Sequence, residues 1–298
     1  MNKGIGPLII LVIIGAIALY GVLCAYIFGR TIVDQQAQIE SSVITTINKM
    51  EYIKREIPAA MRYSFYQSIY DVANRGGGAS SSSSYNCIPY WNIFGQDTIP
   101  NYQENSDKVF LTIFSKYLSS MSDSSMSDST ISLPNFQVNK GVAAGKLTVS
   151  SNEPLMIANP EFYTVKDSST FSIDVSPDTI GIFDAGKDAA NQLTETISKS
   201  SSYSDALSEV INLQSSLDTK YSGHYNIIIQ PEGNLGNGSS KFAFRIRVII
   251  VDTNDKYPIY DFSENKNDYK NVALSFYLFE GTDSSIHPQI NSCSPINY

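Results

Sequence analysis

Hydrophobic and polar positions divide this chain into three regimes. From Gly4 to Gly29 no residue is charged and most are Ile, Leu, Val, Ala or Gly. As a helix, these 26 residues would extend roughly 39 Å, more than the ~30 Å hydrocarbon core of a bilayer. From Arg30 the pattern becomes periodic without any breaker. Ile32, Gln36, Ile39, Val43, Ile47, Met50, Ile53, Ile57, Met61, Phe65, Ile69 and Val72 recur in steps of three or four, with charged and amide residues between them. That is the period of an amphipathic helix continuous with the apolar one. Pro58 removes a backbone donor and crowds the preceding turn, which predicts a kink near Pro58 or a second helix starting there. The stretch "RGGGASSSSS", Arg75 to Ser84, has glycines able to end a helix and serines that bury nothing. It reads as a flexible linker, so the expected organisation is a leader at 1–4, a membrane helix at 5–29, a stalk helix at 30–75, a linker at 76–86 and a head at 87–298.

The head alternates helical and strand patterns. "ENSDKVFLTIFSKYLSSM" predicts a helix capped by Asn105 or Ser106, with Val109, Phe110, Ile113, Tyr117 and Leu118 on its apolar stripe. The pentapeptide Ser-Met-Ser-Asp-Ser then occurs twice, from Ser120 and from Ser125, and reads as a solvated or decorated surface loop. Period-two segments follow in "GKLTVSS", "EFYTVKD" and "TFSIDVS". "DAGKDAANQLTETISK" and "YSDALSEVINLQSSLDTKY" predict an αα-hairpin inserted among the strands. The strongest strand signals are "YNIIIQ", "KFAFRIRVIIVD" and "NVALSFYLFE". In the second of these Phe242, Phe244, Ile246, Val248 and Ile250 fall on one face and Arg245 and Arg247 on the other. The fold class is therefore α+β: a membrane helix running into a long stalk helix, then a sheet-rich head, antiparallel or mixed, with helices against one side.

Charge narrows the partners. The formal net charge is −8 and only 17% of residues are charged, which excludes the clustered Lys and Arg that phosphate backbones require and so excludes nucleic acid. Three cysteines are present. Cys24 sits among apolar neighbours, with bulky Leu23 before it where a lipidation signal needs a small residue. Cys87 and Cys293 lie near the two ends of the head, and in an oxidising compartment a bond between them would close a loop of about 206 residues, stabilising by roughly 2 to 5 kcal/mol. The alternative is a pair of buried thiols. Basic residues after the apolar segment (Arg30, Lys49, Lys54, Arg55, Arg62) outnumber Lys3 before it and favour the C-terminal side inside. The Ser- and Asn-rich composition, the cysteine pair and the sequon at Asn237 favour the opposite, and large domains translocate largely regardless of charge. The expected location is the cell membrane, single-pass, with the head outside.

The start "NKGIGPLIILVII" resembles the leader of archaeal type IV pilin-like proteins: a very short basic leader, the dipeptide Lys3-Gly4, then an apolar helix running straight into an amphipathic one. The resemblance implies cleavage after Gly4, with Ile5 as the new N-terminus of a helix that packs in a filament core beside other pilin-like subunits. The position that is acidic in many pilins is Ile9 here. An amphipathic extension of some 40 residues must bury its apolar face somewhere, and the linker argues for a neighbouring copy. The expected self-association face carries Ile39, Val43, Ile47 and Met50.

Catalytic patterns are absent from the sequence. His224 and His287 belong to no His-Glu-x-x-His or Cys-x-x-Cys pattern, and there is no Gly-x-Ser-x-Gly elbow or Gly-rich phosphate loop. One segment, "VDTNDKYPIY", resembles the Asp-x-Asn-Asp-Asn-x-Pro linker of cadherin-type repeats, with Lys256 where an Asn is expected. The resemblance implies Asp252, Asn254 and Asp255 as oxygen ligands for calcium; the plainer reading is a polar loop whose Asp and Asn satisfy local backbone donors. The chain thus reads as a non-enzymatic, membrane-anchored surface protein, pilin-like or pseudopilin-like, whose head serves assembly, adhesion or ligand contact. The rival readings are a monomeric single-pass receptor or solute-binding ectodomain, and an anchored hydrolase.

Overall fold

A computed structural model describes residues 5–78, 84–123, 130–141, 145–159, 163–176, 178–236, 241–254, 256–261 and 266–291. One helix, α1, runs from Ile5 to Asn74 without interruption at Pro58. At 1.5 Å per residue its 70 residues measure about 105 Å. Its two halves have opposite surroundings. Every residue from Leu11 to Gly29 except Cys24, which is half-buried, is exposed, whereas Met50, Ile53, Ile57, Met61, Phe65, Ile69 and Val72 are buried in the main hydrophobic core. The stripe predicted for the stalk is thus the axis of the head.

The end of α1 explains why. Gly76 and Gly77 have φ of +61° and +86°. The Gly76 N–H donates to the Ala73 carbonyl and the Gly77 N–H to the Val72 carbonyl, both at 2.8 Å, the paired bonds of a Schellman cap. A Cβ on Gly76 would lie 2.5 Å from Pro89 and from the Ser275 carbonyl oxygen. The Trp91 indole N–H donates to the Gly76 carbonyl at 2.7 Å and the Asn105 amide to the Gly77 carbonyl at 2.9 Å. The linker expectation is corrected for 76–78: the glycines end the helix, as their type suggested, but these three residues are buried and clamped to the head, while 79–83 of the expected linker lie outside the described residues.

The head is built around a mixed sheet of order β1-β2-β14-β11-β10, with β3 paired to β2. Its strands are β1 (Ser84–Tyr85), β2 (Ile88–Ile93), β3 (Gln96–Asp97), β10 (Tyr225–Glu232), β11 (Ala243–Asp252) and β14 (Ala273–Gly281). β2 runs parallel to β14; the other pairs are antiparallel. Phe242, Phe244, Ile246, Val248 and Ile250 are fully buried on the face that meets α1, α3 (Asp178–Ser198) and α4 (Tyr203–Lys220). Trp91 stacks on Phe276 within that layer, ring centroids 4.0 Å apart. The opposite face carries Tyr90, Tyr277 and Phe279, with Arg245 laid over the Tyr85 ring at 3.6 Å and its Nε donating to Glu232 at 2.6 Å. β2, with the fully buried Trp91, was not anticipated.

The inserted αα-hairpin is α3 and α4, joined by a reciprocal cap. Ser202 Oγ accepts from the Asp205 N–H, and the Asp205 carboxylate accepts from the Ser201 N–H. The predicted α2 spans Tyr102–Asp123 and starts earlier than expected, because Asn101 is the capping residue: its side-chain oxygen accepts from the Glu104 N–H at 3.2 Å. Around the far side of α1 lie three small sheets: β4-β7-β8 (Thr130–Ser132, Leu155–Asn159, Tyr163–Asp167), β5-β6-β9 (Gln137–Gly141, Lys146–Ser150, Phe171–Asp174) and the hairpin β12-β13 (Tyr257–Asp261, Lys266–Lys270). Lys54 on α1 pairs with Asp167 on β8 at 2.8 Å.

The open edge of the main sheet is β10. Its outward N–H groups at Ile227 and Ile229 donate to Asp218 Oδ1 (3.1 Å) and Gln214 Oε1 (3.2 Å). One helical step of four residues on α4 matches two residues of strand, about 6 Å against 6.6 Å, so consecutive turns of α4 occupy consecutive free donors.

Candidate functional site: the projecting half of the N-terminal helix

The helix enters the head at Thr46, which is 2% exposed. The 41 residues from Ile5 to Thr45 therefore project about 60 Å beyond it. Among them Leu11, Ile17, Leu19, Tyr20, Val22 and Phe28 are 66–73% exposed. At about 0.8 kcal/mol per buried CH₂, such a rod gains greatly from any apolar cover, whether lipid or protein. It is long and apolar enough to span a membrane. The segment 30–45 then adds about 24 Å of helix with polar residues, Arg30, Asp34, Gln35, Gln36, Gln38 and Glu40, between the apolar rod and the head.

The four residues expected to self-associate do not share one fate. Ile39 is 40% exposed and Ile47 47% exposed, Val43 is half-buried, and Met50 is 2% exposed inside the head. Met50 is therefore corrected out of any contact surface. The reason is geometric: Ile39, Val43, Thr46, Met50 and Ile53 follow one stripe in steps of three and four, and the head covers only its lower part. Above Thr46 the same stripe emerges, half-buried at Val43 and exposed at Ile39.

The remaining site residues are scattered. Ile5 begins α1, and Gly4 lies outside the described residues. Cys24 is free. Cys87 lies in the two-residue turn of the β1–β2 hairpin, where Asn86 and Cys87 have φ of 51° and 65°. Cys293 lies outside the described residues, as do Asp255 and Asn237. Asp252 is fully buried at the end of β11; its carboxylate accepts from the Asn254 N–H at 3.0 Å and the Tyr257 hydroxyl at 3.1 Å. Asn254 is exposed. Among the described residues no group of three or more His, Cys, Asp or Glu is placed to hold a metal. His224 lies just before β10 and His287 follows β14, both at the surface.

Two features escaped the sequence. Glu280 on β14 is 4% exposed, and Thr194 Oγ1 donates to it at 3.0 Å; burial pushes its carboxyl up to about 7, against the pull of that bond and of one from the Gly95 backbone. The second is a tyrosine-lined cleft beside α1. Neither has a local sequence signal, since each is assembled from elements far apart in the chain. No protein-family model matches the chain, and no curated protein and no solved structure matches it.

Proposed function

We propose that this chain is a non-enzymatic, single-pass surface protein of pilin-like kind, anchored by the apolar half of α1, with its head outside the cell and copies packed side by side along the helix. The observation that carries the reading is the continuity of α1. A plain anchor needs only about 20 apolar residues and no fixed relation to its domain. Here the apolar rod, the partly uncovered stripe and the axis of the head are one helix, so lateral packing of the rods would set the positions of the heads. The stripe at Ile39 and the half-buried Val43, with Ile47 beside it, is the surface offered to a second copy.

The test replaces Val43 and Ile47 with Asp in the full chain. Oligomers of the purified, detergent-solubilised protein should be lost by cross-linking and light scattering, while the head keeps its unfolding transition. Met50→Asp should behave differently and unfold the head, because Met50 is core. A strictly monomeric unmodified chain would remove the assembly reading and leave the anchored receptor in its place. Sequencing the N-terminus of the membrane-purified protein distinguishes the two independently: Ile5 supports the pilin-like route, Met1 or Asn2 the plain anchor.

A further inference from the structure

A cleft of about 390 Å³ opens between α1, α2 and β12, a volume in the range of small-ligand sites. Tyr63 and Gln67 reach it from α1, Ile113, Lys116 and Tyr117 from α2, and Tyr260 from β12. The walls are ordered before any ligand arrives. Tyr63 and Tyr117 meet edge to face, ring centroids 5.4 Å apart, and the Tyr63 hydroxyl donates to Asn267 Oδ1 at 2.8 Å. Gln67 is 2% exposed and fixed at both ends: its oxygen accepts from the Tyr260 N–H at 2.7 Å and its amide donates to Asp71 at 3.0 Å. Burial pushes the Tyr117 phenol far above its usual value, so it stays a neutral hydrogen-bond donor. Lys116 is exposed at the rim and has no acidic partner among the described residues. Among the described residues no carboxylate lines the cleft.

Each property restricts the occupant. Aromatic faces with hydroxyls at their edges suit a ring that is apolar on its flat side and hydroxylated at its rim. An ammonium with no acidic partner among the described residues favours an anion and disfavours a cation. A single ammonium at the rim complements a single negative charge. We propose that this cleft binds a pyranose bearing one carboxylate, a uronic acid unit of an acidic polysaccharide, with the ring on the tyrosines and the carboxylate at Lys116. Because the described lining residues all belong to one copy, the proposal does not rest on assembly through α1.

The test uses the full chain dispersed in detergent, with D-glucuronate and D-glucose as probes. Saturation-transfer NMR should show transfer to the ring protons of glucuronate and weaker transfer to glucose. Lys116→Gln, at an exposed position that leaves the fold intact, should weaken glucuronate about tenfold while leaving glucose unchanged. Tyr63→Leu should weaken both probes. Three results would overturn the assignment: no transfer to glucuronate from folded protein, equal binding of the two sugars, or an indifferent Lys116→Gln variant. Cross-linking of Lys116 to a neighbouring copy without uptake of glucuronate would give the cleft to that copy and overturn it equally.

Discussion

Glu280 makes the stability of the head depend on pH, and the direction follows from its surroundings. The side chain is 4% exposed at the end of β14, held by Thr194 of α3 and by the Gly95 backbone, and burial raises its carboxyl from 4.5 to about 7. A raised value means that the folded head binds a proton which the unfolded chain has released between these two limits. The associated stability is fully present below about 4.5 and is lost as pH rises through 7. At 1.36 kcal/mol per pH unit, the interval from 4.5 to about 7 corresponds to about 3 kcal/mol, of which roughly 2.5 falls between pH 5 and pH 8.5. Glu280→Gln keeps the shape and removes the titration. Urea unfolding in detergent, followed by the fluorescence of the single, fully buried Trp91, reads the effect. The unmodified head should lose about 2.5 kcal/mol more than the variant across that pH range, with the variant more stable at pH 8.5. Parallel pH profiles for the two proteins would refute the reasoning.

The free edge of β10 and the cysteines give further expectations. Replacing Gln214 and Asp218 with Ala leaves the Ile227 and Ile229 N–H groups without their acceptors, which should cost about 1 kcal/mol for each bond in urea unfolding and promote concentration-dependent association of heads through the uncovered edge, seen by light scattering. Non-reducing mass spectrometry should find Cys87 joined to Cys293. Ser84 and Asn291 already exchange backbone and side-chain hydrogen bonds at 2.7 and 2.6 Å, and Cys293 is only two residues, at most about 7 Å of chain, beyond Asn291. Two free thiols in freshly purified protein would remove this support for an external head.

Periodic segments were legible because each buries one face against a continuous surface. The stripe of α1, the alternation of β11 and the αα-hairpin could be read directly, since their spacing follows from geometry that a single segment already contains. The failures share a cause as well. β2 is six residues long with three successive buried positions, so it shows no alternation, and its place depends on the distant β14. The glycines after α1 were read by composition as a linker, yet Gly76 is required by a left-handed φ and by Pro89 and the Ser275 carbonyl occupying the space a Cβ would need. The tyrosine cleft combines residues from positions 63 to 260, and Glu280 is buried by α3, so neither could be seen in any local window.

The Gly76 cap changes what the projecting helix can do. Had the helix end at Gly76 and Gly77 been unattached to the head, a head could have turned freely on its stalk, and packing of the rods would have fixed nothing about the heads. With Val72 fully buried, the cap bonded at Val72 and Ala73, and Trp91 and Asn105 holding the glycine carbonyls, the head is joined to α1 over more than 20 residues of core rather than at one point. Pro58 lies within that clamped stretch, where tertiary packing maintains the helix despite the missing N–H. The polar segment between Arg30 and Thr45, which joins the rod to the head, has neither proline nor glycine and so resists sharp kinks. Any tilt of the apolar rod is transmitted to the head as a rotation of the whole domain, and a fixed packing angle between neighbouring rods would place the head surfaces, including the tyrosine cleft, at a fixed orientation to the membrane.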